Sequence, residues 1–319
     1  MSTYYQIFGG KINVISADPS NPIKGQVWFN TATPALKYRS TTLDVWATGG
    51  NLGTSRYGLA GCGTQTVAAA FGGATGASTA TAATEEYDGT SWTAGGNLST
   101  ARYSLAGAGI QTTALAFGGN GPSAATEEYN GTSWTGGGNM GTGRQYLAGC
   151  GTQTVGLAFG GVTSSQSTEE YNGTAWTAGG NLTTGRFGLG GAGTQTVALA
   201  FGGRSGGIAT ASTEEYDGSS WTAGGSLTTA RYYLAGCGLQ TAGLAFSGYT
   251  GTVLTQATEE YDGASWTSGG NMGTARSLLA GAGTQTAGLG FGGYTAGKVA
   301  ITEEYTGGGT PVTKTVTAT

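Results

Sequence analysis

The chain has 319 residues, of which 65 are Gly, 9% are charged and none is His, and its net charge is −4. So little charge excludes the basic footprint of a nucleic-acid or anionic-membrane binder, and no apolar run approaches the roughly 18 residues of a spanning helix. The start, MSTYYQIFGGKINVIS, lacks the basic start and apolar run of a secretory signal, so a soluble chain without ordinary export and without membrane insertion is expected. The Gly residues sit in register with Phe, Leu, Tyr and Trp, which argues against a disordered tract.

Residues 1–45 do not share the repeat that fills most of the chain. Asp18-Pro19-Ser20-Asn21-Pro22 is a rigid, turn-rich stretch, and short strands are expected at 27–30 and 36–39, joined by Thr31-Ala32-Thr33-Pro34. A two-stranded hairpin is marginal in water. This one must pack against the rest of the chain or a partner, with Trp28, Phe29 and Tyr38 as its apolar handles for docking.

From Trp46 onward one unit recurs six times. Its Arg falls at Arg56, Arg102, Arg144, Arg186, Arg231 and Arg276, each followed by Leu after three residues, Gln after nine and Phe after fifteen. A period of 42–46 residues with four strand-length segments is the sequence signature of propeller blades. In the fifth unit the strands are expected at 234–239, 241–246, 258–261 and from Trp266. In the third, Val155, Leu157 and Phe159 alternate with Gly156 and Ala158, a large face against a small one that lets tilted sheets stack. The dipeptides Asp88-Gly89, Asn130-Gly131, Asn172-Gly173, Asp217-Gly218 and Asp262-Gly263 suit the tight turns between the third and fourth strands.

The sixth unit stops at Glu303-Glu304-Tyr305 with no Trp after it. Its fourth strand is expected from the other end, at 43–47 around Trp46, which would pair both edges and close a ring. The tail after Tyr305 is polar and β-prone, with no obvious place in that ring. Cys62, Cys150 and Cys237 fill one slot in alternate units, where the others carry Ala108, Ala192 and Ala282. Equivalent slots lie too far apart for a disulfide. Small apolar packing is the expected role, rather than a three-thiolate metal site on the axis.

An apolar strand ending in Gly-Gly, then Tyr, then Trp, then Arg before the next strand, resembles the kelch repeats over residues 43–305. Only four residues separate Tyr from Trp, fewer than is usual in kelch repeats. The segment 25–40, GQVWFNT…LKYRS, resembles a short module of bacteriophage tail-fibre and other virion proteins. Together these imply an all-β chain: an N-terminal virion-docking arm (1–42), a six-bladed kelch-like β-propeller closed by an N-terminal strand (43–305), and a polar tail (306–319).

Twelve of the seventeen acids are Glu pairs, from Glu85-Glu86 to Glu303-Glu304. Paired carboxylates can do glycosidase work, but adjacent strand residues point to opposite faces, and one pair per unit is an architectural distribution. One Glu is expected to pair with the repeat Arg and the other to meet solvent. The DGTSW at 88–92 resembles the Asp boxes of sialidase propellers but lacks the preceding Ser-x-Asp frame. Copper oxidases on kelch propellers need histidine ligands, and no Lys-Ser/Thr follows the Gly doublets to make a phosphate loop. No catalytic residue, metal or cofactor is expected, and the protein is expected not to be an enzyme.

All length variation, with spacings of 14, 10, 10, 13, 13 and 12, lies between Phe and the first Glu. The loops concerned, at 74–83, 120–125, 162–167, 204–212, 249–257 and 294–301, share one face with the connections into each next unit. Variable loops on a rigid scaffold commonly make binding surfaces, although unconstrained drift gives the same pattern. Arg204, Tyr249, Tyr294 and Lys298 are the expected anchors, with Ser78, Thr79, Asn120, Ser164, Gln166, Ser205 and Thr250 placed to hydrogen-bond a ligand such as a sugar. The expected function is that of a non-enzymatic tailed-phage virion protein, at a tail fibre, tip or other appendage. Its arm would bind other virion proteins, and its loops would face a host-surface glycan or protein. A cellular kelch-type protein-interaction module is the alternative, and a glycan-cleaving spike a third.

Overall fold

The computed structural model describes residues 5–7, 10–17, 27–40, 44–77, 79–163, 165–307 and 312–316, and over them the protein is all-β, with no helix. The chain divides into two compact units, residues 1–44 with 307–319, and residues 45–306. The tail therefore belongs with the arm and does not stand alone. The turn expected at 18–22 lies outside the described residues.

In the first unit, Val27–Asn30 and Ala35–Ser40 form the expected hairpin, pairing Val27 with Tyr38 and Asn30 with Ala35. The Asn30 side-chain oxygen closes the turn by accepting from the N–H groups of Ala32 (2.9 Å) and Thr33 (3.2 Å), a local bond that favours a turn over continued strand. Strands on both sides turn the hairpin into a five-stranded sheet. Gly10–Ile15 runs parallel to Val27–Asn30 with Tyr5–Ile7 beyond it, and Val312–Val316 pairs antiparallel with Ala35–Ser40. Alternation along Val27–Asn30 buries Trp28 completely. This corrects its assignment as a docking handle, because an indole with no exposed surface has none to offer a partner. Phe29 is half-buried. The side chain of Tyr38 lies outside the described residues.

The second unit contains six four-stranded antiparallel sheets. The first runs Ala60–Gly63, Ala68–Phe71, Thr84–Tyr87, Trp92–Ala94, and the next four repeat this order along the chain. In the sixth, Ala280–Gly283, Ala287–Phe291 and Thr302–Thr306 are completed by Val45–Thr48, pairing Tyr305 with Trp46 and Glu303 with Thr48. The second strand of each sheet buries its last four residues, with Phe and Leu (Ala69 in the first sheet) on one side and Ala or Gly on the other.

Repeated side chains tie each sheet to the one before it. Gln111 of the second sheet donates to the carbonyls of Ala68 (3.1 Å) and Tyr87 (2.8 Å) of the first. The Trp134 indole N–H donates to Thr84 Oγ1 at 2.9 Å, and its ring lies 4.8 Å from Phe71. The same bonds run from the first sheet to the sixth: Gln65 to Tyr305 O (2.6 Å) and Trp92 to Thr302 Oγ1 (3.0 Å). Each core cluster likewise straddles two sheets, one joining Phe291 and Leu289 to Trp92 and Tyr87. The contacts thus return to their start, an arrangement compatible with a β-propeller. Glycine makes the close approach possible. A Cβ on Gly107 would lie 2.6 Å from the Phe71 ring, and one on Gly61 2.3 Å from Phe291.

The second Glu of each pair corrects the expectation that it meets solvent. Glu86 accepts the Tyr129 hydroxyl of the next sheet at 2.7 Å, Glu128 accepts Tyr171 at 2.5 Å, and Glu304 accepts Tyr87 at 2.5 Å. Burial, and then this hydrogen bond, push the Tyr129 and Tyr171 phenols up to about 12.

Candidate functional site

The loops rest on buried ion pairs. Arg144 is fully buried, with Nη2 at 2.9 Å from Glu169 Oε1, and Nη1 donates to the carbonyls of Gly160 (3.2 Å) and Ser167 (2.7 Å) on either side of the 162–167 loop. Glu169 Oε2 accepts the Gly141 N–H at 2.6 Å, fixing the incoming connection. All six repeat arginines pair this way with the first Glu, at 2.6–3.1 Å. Burial lowers the guanidinium of Arg56 and Arg231 to about 10, still charged at neutral pH.

Above this layer the variable loops are sewn to the connections. Backbone bridges join Tyr57 to Ala74, Gln145 to Val162, Phe187 to Arg204, Tyr232 to Tyr249 and Ser277 to Tyr294. The residue after each of these, and Ser104 in the second sheet, is left-handed: Gly58, Ser104, Tyr146, Gly188, Tyr233 and Leu278 have φ of 55–61°. Their backbones form a closed circle in which each N–H donates to the preceding member's carbonyl, Gly58 closing it onto Leu278, at 2.6–2.9 Å. Left-handed geometry costs a non-Gly residue about 1–2 kcal/mol, and satisfying every polar group of the circle offsets it. With the six Leu that follow them, these residues line a pit of about 80 Å³.

Aromatic side chains gather around the pit. Tyr146 lies 5.1 Å from Tyr233, Tyr233 4.8 Å from Tyr232, and Tyr232 5.5 Å from Tyr249, ring centre to ring centre. Arg204 places its guanidinium 5.6 Å from the Tyr232 ring and 6.0 Å from Phe187, within cation–π range. Farther round the ring, Tyr57 meets Tyr294 edge-on at 5.3 Å. With Thr75, Gly76, Ala77, Leu278 and Lys298 they line a cleft of about 410 Å³, in the size range of small-ligand sites. Lys298 donates there to the Thr75 carbonyl.

The expected site residues thus fall into groups. Arg204 and Tyr249 join one aromatic cluster, and Tyr294 and Lys298 line the cleft. Asn120 is committed internally, its side-chain oxygen accepting the Tyr103 N–H at 2.9 Å. Thr250 closes a turn by accepting the Val253 N–H at 3.2 Å. Gln166 is exposed and donates to Thr183 O at 3.4 Å, while Ser205 and Thr79 sit in two-residue strands. Ser78 and Ser164 lie outside the described residues. Loop length did not reveal Tyr57, Tyr146, Phe187, Tyr232 and Tyr233, which stand one or two places after the repeat Arg. The signal available was variation of residue type at fixed spacing.

The Asp-Gly and Asn-Gly turns carry no such cluster. Asp88 accepts the N–H groups of Thr90 (2.8 Å) and Ser91 (2.7 Å), so it is a turn-forming residue. Its carboxyl is held below the usual range, first by the Thr90 hydroxyl. Cys62, Cys150 and Cys237 are buried free thiols, and burial pushes Cys62 and Cys237 up to about 12. Among the described residues no three His, Cys, Asp or Glu side chains converge as metal ligands would. The chain matches no protein-family model and no curated protein.

Proposed function

We propose that residues 45–306 are a six-bladed, kelch-like β-propeller closed by the strand at 45–48. We further propose that the protein is a non-enzymatic virion component of a tailed phage, presenting the propeller's loop face to a ligand. One observation carries the binding reading. Each of the six arginines that recur at the repeat position pairs with a carboxylate, and each of the six recurring tyrosines donates to one. On the loop face Arg204, Lys298, Tyr146, Tyr232, Tyr233 and Tyr249 have no carboxylate partner among the described residues. Unmatched aromatic and cationic groups above a satisfied scaffold are the raw material of a recognition surface.

The blade count is supported by the bonds of Gln65, Tyr87 and Trp92 back to the sixth sheet. The virion setting rests on the resemblance of residues 25–40 to a phage tail-fibre module, and the first unit is the part assigned to docking with other virion proteins. Electron microscopy of particles labelled with an antibody to the propeller tests this. Label at fibre tips or tail supports host attachment to a surface glycan or protein, and label over the capsid supports decoration. Particles without label exclude the virion reading.

A further inference from the structure

Arg204 differs from every repeat arginine. It is half-buried and lies in a short hairpin, Arg204–Ser205 against Ile208–Ala209. Its backbone exchanges two hydrogen bonds with Phe187, at 2.8 and 3.2 Å. Its Nε donates to the Gly207 carbonyl at 3.0 Å, and its guanidinium is stacked near Phe187 and Tyr232. The side chain is therefore held in place before any ligand arrives. Its two terminal nitrogens have no acceptor among the described residues, and the six variable loops contain no Asp or Glu.

The groups around it share that imbalance. The hydroxyls of Tyr146, Tyr232, Tyr233 and Tyr249 have no hydrogen-bond partner among the described residues, and Tyr233 packs against both Tyr146 and Tyr232. The site is thus a fixed cation and a set of free hydroxyl donors, with flat aromatic faces beside them and no opposing anion. We propose that this face binds a carboxylate-bearing sugar, with the Arg204 fork on the carboxylate and the Tyr146 and Tyr233 rings against the sugar's apolar face.

The fork geometry matches a planar carboxylate with two parallel N–H···O bonds. A saccharide fits the surrounding donors better than an acidic peptide. Sugar hydroxyls rotate to accept from these phenols or donate to them, whereas an extended peptide brings backbone N–H donors of fixed direction to a wall that has no carboxylate to receive them.

The assignment rests on the loop face being the ligand face. Its test is saturation-transfer NMR of the full chain with millimolar methyl glycosides of glucuronate, galacturonate and N-acetylneuraminate, against neutral glucoside and galactoside. The acidic glycosides should bind and the neutral ones should not. Arg204→Gln should weaken binding about tenfold or more, and Arg204→Lys should keep part of it, with both variants still folded by circular dichroism, because Arg204 contributes to the fold one internal side-chain hydrogen bond and two cation–π contacts. Equal binding of neutral glycosides overturns the acidic ligand. Binding unchanged in Arg204→Gln places the sugar elsewhere and sinks the loop-face reading too. No binding of any acidic glycoside to the folded chain overturns the ligand class while leaving the loop-face reading intact, since particle labelling tests that separately.

Discussion

Replacing Glu169 by Gln is nearly isosteric but removes the one carboxylate beside the fully buried Arg144. The guanidinium would keep its bonds to Gly160 O and Ser167 O, and its charge would have no counter-ion. Breaking a buried pair from one side costs about 3–5 kcal/mol. In a unit of this size each ~1 kcal/mol moves the melting point by about 2–4 °C, so Glu169→Gln should lower it by roughly 6–20 °C. The double variant Arg144→Met/Glu169→Leu, which removes both charges and keeps apolar volume, should recover most of that loss. Circular dichroism melts of Arg144→Met, Glu169→Leu and the double give the coupling directly. A fall under about 2 °C in Glu169→Gln, or a double variant as unstable as the two singles added together, would refute the view that these pairs fasten the loops to the scaffold.

Two further outcomes are expected from the contacts between sheets. Gly149→Ala puts a methyl 2.3 Å from Phe117 Cζ, on a ring already packed 5.0 Å from Trp176. It should cost about 1–3 kcal/mol, and combining it with Phe117→Leu should destabilise less than the sum, as read from thermal melts. The Tyr87, Tyr129, Tyr171, Tyr216 and Tyr261 phenols are raised to about 12, burial first and their Glu partners second, against about 10 in an unfolded chain. A raised value favours the neutral phenol in the fold, so this contribution is intact below pH ~10 and is lost as pH climbs towards 12. Phenolate absorbance followed with circular dichroism checks it. All sixteen tyrosines titrating near 10 in a folded chain would count against the Tyr–Glu clasp.

What the sequence disclosed was whatever recurs at constant spacing. Arg144, Phe159, Tyr171 and Trp176 announced themselves by returning in every unit, and so did the strand missing after Tyr305. Partner identity was less legible. That Glu128 would face the Tyr171 hydroxyl depends on which sheet lies beside which, and a period carries no such information. Trp28 was misjudged for a related reason. A hairpin read in isolation has no interior, and the interior appears only when 10–15 and 312–316, distant in sequence, join it. The aromatic group around Tyr146 and Tyr233 stayed hidden because its positions vary in residue type and not in length.

The strand Val45–Thr48 is made early and used late, because its partner Thr302–Thr306 leaves the ribosome about 260 residues afterwards. At synthesis rates of about 5–20 residues per second, Trp46 waits roughly 13–50 s for Phe246 and Tyr305 to receive it. During that interval one nascent chain carries an unpaired donor strand, while a neighbour farther along carries a sixth sheet with an open edge. That edge can be filled by its own Val45–Thr48 or by the strand of the other copy, so crowded synthesis on one message lets strand exchange between copies compete. The order in which this chain emerges therefore makes its last pairing a contest between its own beginning and that of the next copy.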